Sequence, residues 1–277
     1  NKGDVEALYV FADARRRLER PKGQHVIEAI GLLRHLLDVD PDHTEAQELL
    51  LELYTMVGFH TETMELATEL LAKQPEYAPA LRSKATALIQ LRKYSEAAEA
   101  AGRLVQLTPD DIQAHLLLME AMRRTGQPDQ ELVDYAKAQH EAHSDDPRFK
   151  LVRGHALLVT GSAEEARKLI LDAAKADWPD PDSVPVLIQH LDALGEFAEA
   201  LRVLEEKAAA LESRGLRHEF IRRLWEARQP EQALSRLDAE IEDEEDPATE
   251  LLAIKGLCLL DLDRHDQMPG VIEQLDE

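Results

Sequence analysis

The stretch TEAQELLLELYTMVGFHTETMELATELLAKQPEY at residues 44–77 runs directly into APALRSKATALIQLRKYSEAAEAAGRLVQLTPDD at residues 78–111. The two are one pattern written twice. With Thr44 set against Ala78, Gly58 meets Arg92, Phe59-His60 meets Lys93-Tyr94, Thr63 meets Ala97, and Pro75 meets Pro109. A period of 34 residues closed by a proline is the mark of a helix-turn-helix repeat, in which each unit buries its apolar sides only against its neighbours.

The same register extends outward in both directions. Ahead of the doubled stretch, Asp4 to Glu19 carries Val5, Leu8, Phe11, Ala12 and Leu18 at helical spacing. Pro21-Lys22-Gly23 should break that helix, and Val26 to Val39 forms its partner, ending at Asp40-Pro41. The expected helices then run Glu45 to Val57, Glu62 to Lys73, Ala80 to Leu91, Ser95 to Leu107, Gln113 to Thr125 and Glu131 to His143. Pro79 sits at a helix start, where its missing N–H costs nothing. Gly154, Gly161, Ala166 and Pro179 mark the cleanest unit, with glycine at the tight crossing point, glycine in the turn, and proline at the boundary. Gly195, Phe197 and Ala200 continue it. The next unit is degenerate, with Ile221 in place of a small residue and Arg228-Gln229-Pro230 as its turn, although Ala233 keeps register. Gly256 and Leu259 restore the pattern, and Pro269-Gly270 predicts a frayed or shortened last helix. The unit boundaries fall near 4–43, 44–77, 78–111, 112–146, 147–180, 181–213, 214–248 and 249–277, a single array of about eight units.

The small residues (Ala97, Gly154, Gly161, Ala166, Ala200, Gly256), the junction aromatics (Phe59, Tyr94, Phe197) and the closing prolines (Pro41, Pro75, Pro109, Pro179) resemble the tetratricopeptide repeat over essentially the whole chain. Leu and Met stand where that family often has aromatics in the first helix. The resemblance implies an all-α, right-handed α-α superhelical solenoid whose first (A) helices line a concave groove. It implies groove contacts at Glu45, Glu48, Glu52, Arg82, Thr86, Gln113, Glu120, Arg123, Arg124, Arg148, His155, His218, Arg222 and Trp225. An acidic entrance then gives way to an arginine-bearing middle, where bidentate guanidinium contacts suit an acidic peptide or protein segment. The competing reading is of arginines paired with glutamates three or four residues away on their own helices. The lysine–asparagine clamp of chaperone-binding members is not expected, because Asn1 is the only asparagine and Glu48 and Glu52 would repel a carboxylate.

Totals narrow the partner class. Lys and Arg number 32 against 55 Asp and Glu, a net charge of −23. That charge disfavours nucleic acid, RNA-reading helical repeats included, and direct binding to an anionic membrane. No metal or cofactor is expected. His140 and His143 share a helix face, but two ligands do not make a zinc site. Cys258, the one cysteine, reads as a buried small hydrophobe. Arg15 to Arg17 is too short for a nucleic-acid patch, and Glu242 to Asp246 reads as a solvated acidic loop. Catalytic signatures such as a phosphate-binding glycine loop or a nucleophile elbow are absent from the sequence. The expectation is a non-enzymatic interaction scaffold. The alternative is a structural soluble arm of a membrane-anchored or envelope assembly, working through its convex face or ends. The Ala-, Leu- and acid-rich composition suggests a bacterial source. The opening Asn1 leaves a cytoplasmic or periplasmic location open, with an upstream signal or anchor compatible with either.

Overall fold

The computed structural model describes residues 2–16, 24–178, 180, 183–210, 214–242 and 249–276. Sixteen α-helices and one short 3-10 helix, with no strand, make up the regular structure of those residues. They fall into antiparallel pairs, each an A helix followed by a B helix. The pairs are α1 (Lys2–Arg16) with α2 (Gln24–Val39), α3 (Thr44–Val57) with α4 (His60–Lys73), α5 (Ala78–Gln90) with α6 (Tyr94–Leu107), and α7 (Ile112–Arg124) with α8 (Asp129–Ala142). They continue as α9 (Arg148–Val159) with α10 (Ala163–Ala174), α11 (Val184–Ala193) with α12 (Phe197–Ala210), α13 (Arg214–Glu226) with α14 (Pro230–Glu242), and α15 (Thr249–Asp261) with α16 (Met268–Asp276). The chain divides into two compact units, Asn1–Ala138 and Gln139–Glu277.

One backbone device sets the turn inside most pairs. Gly58, Arg92, Gly161, Gly195, Arg228 and Asp263 all have left-handed φ values between 58° and 90°. The amide of the next residue then reaches the carbonyl five residues back, as in Phe59→Tyr54, Lys93→Leu88, Ser162→Leu157, Glu196→Leu191, Gln229→Leu224 and Arg264→Leu259, all at 2.8–2.9 Å. This is a Schellman closure, which satisfies carbonyls left open at the helix end. Between pairs, Asp40, Gln74 and Thr108 each donate their amide to the leucine carbonyl four residues back (Leu36, Leu70, Leu104) at 2.8 Å. The repeat period is thus visible in hydrogen bonds as well as in letters.

The core repeats in the same way. In the first unit Ala12, Ala46, Ala80 and Ala114 are fully buried at 34-residue steps, as are Leu36, Leu70 and Leu104 to within 1%. In the second unit Ala166, Ala200 and Ala233 are fully buried on the B helices, in the register that Thr63 and Ala97 hold in the first. Within the first unit α3 packs on α5 and α5 on α7, so successive A helices lie side by side. His115, fully buried, ties α7 to α8 through Tyr135 Oη at 2.6 Å and reaches the Pro109 carbonyl at 2.8 Å.

Several expectations are sharpened or corrected. Pro269 stands second in α16 rather than in a helix interior, preceded by the 3-10 turn His265–Gln267, and the helix is shortened to nine residues. Gly154 is the tight crossing point, because a Cβ there would lie 2.7 Å from Ile170 Cγ1. Gly256 is not, since its nearest neighbours to such an atom are 3.8 Å away. The last pair is spaced widely enough by Met268 and Val271 to accept a methyl group. Cys258 is fully buried in α15, and burial pushes its thiol up to about 11. The first helix is described from Lys2 to Arg16, and residues 17–19 of the expected helix lie outside the described residues. The expected break at residues 21–23, Arg17, Pro179 and the acidic residues 243–246 lie outside the described residues.

Candidate interaction face

In the first unit polar residues of the A helices α3, α5 and α7 line two clefts. On α3, Glu45, Glu48 and Glu52 follow one another at steps of three and four, so all three carboxylates share one face. They line a cleft of 730 Å³ together with Tyr9 of α1, Tyr77 at the start of α5, and Arg82 within α5. Tyr9 stacks on His43 with ring centres 5.4 Å apart. His43 in turn caps α3, its Nδ1 accepting the Ala46 amide at 3.3 Å. Burial pushes the Tyr77 phenol up to about 12, helped by the negative charge of the nearby Glu48 carboxylate. Arg82 does not face the cleft as a free cation, because it is ion-paired with Asp111. Asp111 is itself fixed as the cap of α7, accepting the Gln113 and Ala114 amides.

A second hollow of 400 Å³ follows in the same unit, where Thr86, Glu120 and Arg124 come together with Arg92, Tyr94 and Leu117. Glu120 stands between two guanidinium groups. Arg124 Nε donates to it at 2.7 Å, and Arg123 donates through Nε at 3.1 Å and its terminal nitrogen at 2.8 Å. Burial would raise the Glu120 carboxyl, but the hydrogen bonds from Arg124 and Arg123 outweigh it and hold it below the usual carboxylate range. The arginine pair expected to grip an acidic segment thus shares one carboxylate on its own helix, which balances one of its two charges.

In the second unit the expected residues have structural partners as well. Arg148 is only 16% exposed and is held by Asp146 at 2.7 Å and Asp180 at 2.6 Å, fastening the start of α9 to the segment before α11. His155 reaches His190 of α11, Nδ1 to Nε2, at 2.8 Å. Arg222 pairs with Glu219 on its own helix, and Glu219 also takes Arg223 at 2.6 Å. Arg223 then crosses to Asp192 of α11 at 2.7 Å. His218 lies 3.4 Å from Glu240 of α14. The Trp225 ring is half-buried, with its indole N–H enclosed and making no hydrogen bond among the described residues. His140 and His143 part company. His143 stacks on Phe149 at 4.0 Å, while burial, with Arg153 and Lys150 beside it, lowers the His140 pKa. Among the described residues no three His, Cys, Asp or Glu side chains are grouped to hold a metal, and no helix is long and apolar enough to cross a membrane.

The structure thus brings together Glu45, Glu48, Glu52 and Arg82 in one cleft, and Thr86, Glu120 and Arg124 in another. Sequence reasoning missed Tyr9 and Tyr77, which complete the first cleft, and Asp111, which occupies Arg82.

A tetratricopeptide-repeat family model matches residues 65–112 and 82–147. No curated protein matches the chain in sequence. Among solved structures, the chain is similar to MamA residues 41 to the end from Desulfovibrio magneticus RS-1, at 16% identity and a TM-score of 0.49, covering 62% of this chain and 94% of that one. It is also similar to a thermophilic TPR protein of Thermus thermophilus, at 18% identity and a TM-score of 0.45, covering 69% and 99%.

Proposed function

We propose that the chain, in which a tetratricopeptide-repeat family model matches residues 65–112 and 82–147, is a non-enzymatic scaffold that holds a peptide or protein segment against its A-helix wall, with the helix pairs serving as one array. The observation that supports this reading is the open cleft on the shared face of α3 and α5. It has the size of a ligand site, and no described segment of the chain fills it. A net charge of −23 favours protein over nucleic acid as partner. An acidic segment, the other expectation for this wall, would have to draw Arg82, Arg123, Arg124 and Arg222 away from carboxylates they already hold.

Panning a random peptide display library against the full chain tests this reading. Bound peptides are expected to lose affinity for the A-face variant Arg82→Glu/Thr86→Arg and to keep it for the B-face variant Glu65→Arg/Glu69→Arg. The reverse pattern, or peptides indifferent to both, would sink it. A second reading, contact through the pair α15 and α16, draws support from Leu257, Leu260 and Ile272. These stand 42%, 47% and 52% exposed on the final pair, and truncation after residue 248 would remove such contacts while leaving groove binding intact.

A further inference from the structure

We infer that the hollow between α5 and α7 is a receptor for a phosphorylated side chain carried on a partner peptide. This rests on the reading of the A-helix wall as a binding face and gives the ligand its chemistry. Three features carry it: a surplus of positive charge, unused hydrogen-bond donors, and the residue in the turn.

The hollow is lined by Thr86 and Gln90 of α5, Arg92 in the turn, Tyr94 at the start of α6, and Glu120 and Arg124 of α7. Glu120 is the only carboxylate among these, and it takes both Arg124 and the adjoining Arg123. Arg92 makes no ion pair among the described residues. Three guanidinium groups therefore stand against one carboxylate, and two positive charges are left over in a chain whose net charge is −23. A phosphate monoester carries close to two negative charges at neutral pH and matches that surplus, whereas a side-chain or C-terminal carboxylate carries one. No existing pair has to break. Arg92 is uncommitted, and Arg124 reaches Glu120 through Nε alone. Guanidinium groups suit this ligand because their forked donors meet two phosphate oxygens at once.

Phosphate oxygens also need neutral donors, and the hollow has them in reserve. Thr55, Thr68 and Thr160 each donate their hydroxyl to the carbonyl four residues back at 2.7–2.8 Å. The Thr86 hydroxyl and the Gln90 carboxamide make no hydrogen bond among the described residues. The Tyr94 hydroxyl accepts from Arg124, which leaves its own proton free to donate. The turn adds the third feature. Arg92 has φ of 60° at the position that Gly58, Gly161 and Gly195 hold elsewhere. Arg228 and Asp263 depart from glycine in the same way, but each has a side-chain partner, Asp261 at 3.8 Å and His265 at 3.2 Å. Arg92 has none and lines a hollow instead. Strain of this kind is kept where the side chain has a use. A nucleic-acid strand is a poorer source of the phosphate, because its further phosphates would meet the negative chain around the hollow.

The probes are three fluorescein-labelled alanine-based peptides, each about nine residues long, with phosphoserine, glutamate or serine at the centre. Fluorescence anisotropy with the full chain is expected to show the phosphoserine peptide binding at least about ten-fold more tightly than the other two. Arg92→Gly removes the free guanidinium while giving the turn the residue its backbone favours, and should weaken phosphoserine binding about ten-fold. Thr86→Val, which keeps the shape and removes the hydroxyl, should weaken it about five-fold. Arg228→Gly makes the same change of charge and backbone at a turn of the second unit, and should change affinity less than about two-fold. Helical content by circular dichroism serves as the check that every variant is folded. Equal weakening by Arg92→Gly and Arg228→Gly would overturn the proposal, because net charge and not the hollow would then be responsible. A glutamate peptide that binds as tightly as the phosphoserine peptide would overturn the phosphate class. Binding of none of the three would overturn the inference, as would capture of phosphatidic acid vesicles in place of the phosphoserine peptide. The display library carries no phosphate, so panned peptides that still lose affinity for the A-face variant would leave that face standing when this inference fails. Failure of the panning as well would remove both readings.

Discussion

Gly154 and Gly256 stand at the same place in their helix pairs, seven residues ahead of the left-handed residues Gly161 and Asp263, yet they are constrained differently. At Gly154 an added methyl meets Ile170 Cγ1 at 2.7 Å, whereas at Gly256 it meets nothing closer than 3.8 Å. Replacing glycine with alanine in a helix gains about 1 kcal/mol of propensity, and overpacking a tight contact costs about 1–3 kcal/mol. Gly154→Ala should therefore lose stability in urea denaturation and Gly256→Ala should gain up to about 1 kcal/mol. Ile170→Ala combined with Gly154→Ala should be less damaging than the sum of the single changes, and additivity would show that the contact is not the cause. The left-handed positions give a second contrast. Arg92 and Arg228 adopt φ of 60° and 58°, a conformation costing an L-residue about 1–2 kcal/mol. Arg92→Gly and Arg228→Gly should each raise stability by about 0.5–1 kcal/mol after the extra chain entropy of glycine is deducted. Gly161→Ala should lower it by about 1 kcal/mol. The alignment of Gly58 with Arg92 made this position legible in the sequence, because the register of prolines and small residues survived where the turn residue itself did not.

Between elements, what the sequence could not disclose was pairing across repeats. Arg82 looked available, but its partner Asp111 lies 29 positions on, and Arg148 is split between Asp146 and Asp180. Helical periodicity says which face a residue occupies and is silent about which neighbouring helix presents the opposite charge. Glu120 with Arg123 and Arg124, by contrast, was readable from i,i+3 and i,i+4 spacing alone. The bridge from α9 to α11 is a further case, joining His155 and His190 across 35 positions. His190 Nδ1 lies 2.7 Å from the Val186 carbonyl, which can only accept, so Nδ1 carries the proton and Nε2 accepts from His155. Burial lowers the His190 pKa below its ordinary 6.5, against a smaller opposing effect of the Val186 hydrogen bond. The unfolded chain then takes up a proton at higher pH than the folded one. Stability from this residue is intact above about pH 6.5 and is lost as pH falls below it, at no more than about 1.4 kcal/mol per pH unit. His190→Gln should flatten the dependence between about pH 7 and 5.5, and an unchanged slope would assign it to other groups. Both tryptophans, Trp178 and Trp225, lie in the second unit, so indole fluorescence follows the transition where His190 sits.

For the whole molecule, the fold was legible because one apolar pattern and one turn recur at nearly constant period. The first cleft was half legible: its carboxylates lie on one helix, and its tyrosines come from the pairs on either side. The division into two compact units at 138/139 had no counterpart in the sequence, since it falls inside α8, where the letters show only a continuing helix. It carries a consequence for stability. Residues 1–138 enclose a cluster running from Val5 through Leu33, Leu53, Leu70 and Leu81 to Leu104 and Ala114, with Ala85, Leu88, Ala97 and Ala121 packed as a second group. Leu132 and Ala136 are buried on α8, which closes the stack beyond α7. Repeat stability is close to a sum of within-repeat and nearest-neighbour contributions, so a segment that keeps its internal interfaces keeps most of its stability per repeat. A fragment of residues 1–143, ending just past α8, should therefore fold alone. Its far-ultraviolet circular dichroism per residue should match that of the full chain, and it should melt in a single cooperative transition. A fragment that is unfolded would show that the stack depends on residues beyond 143.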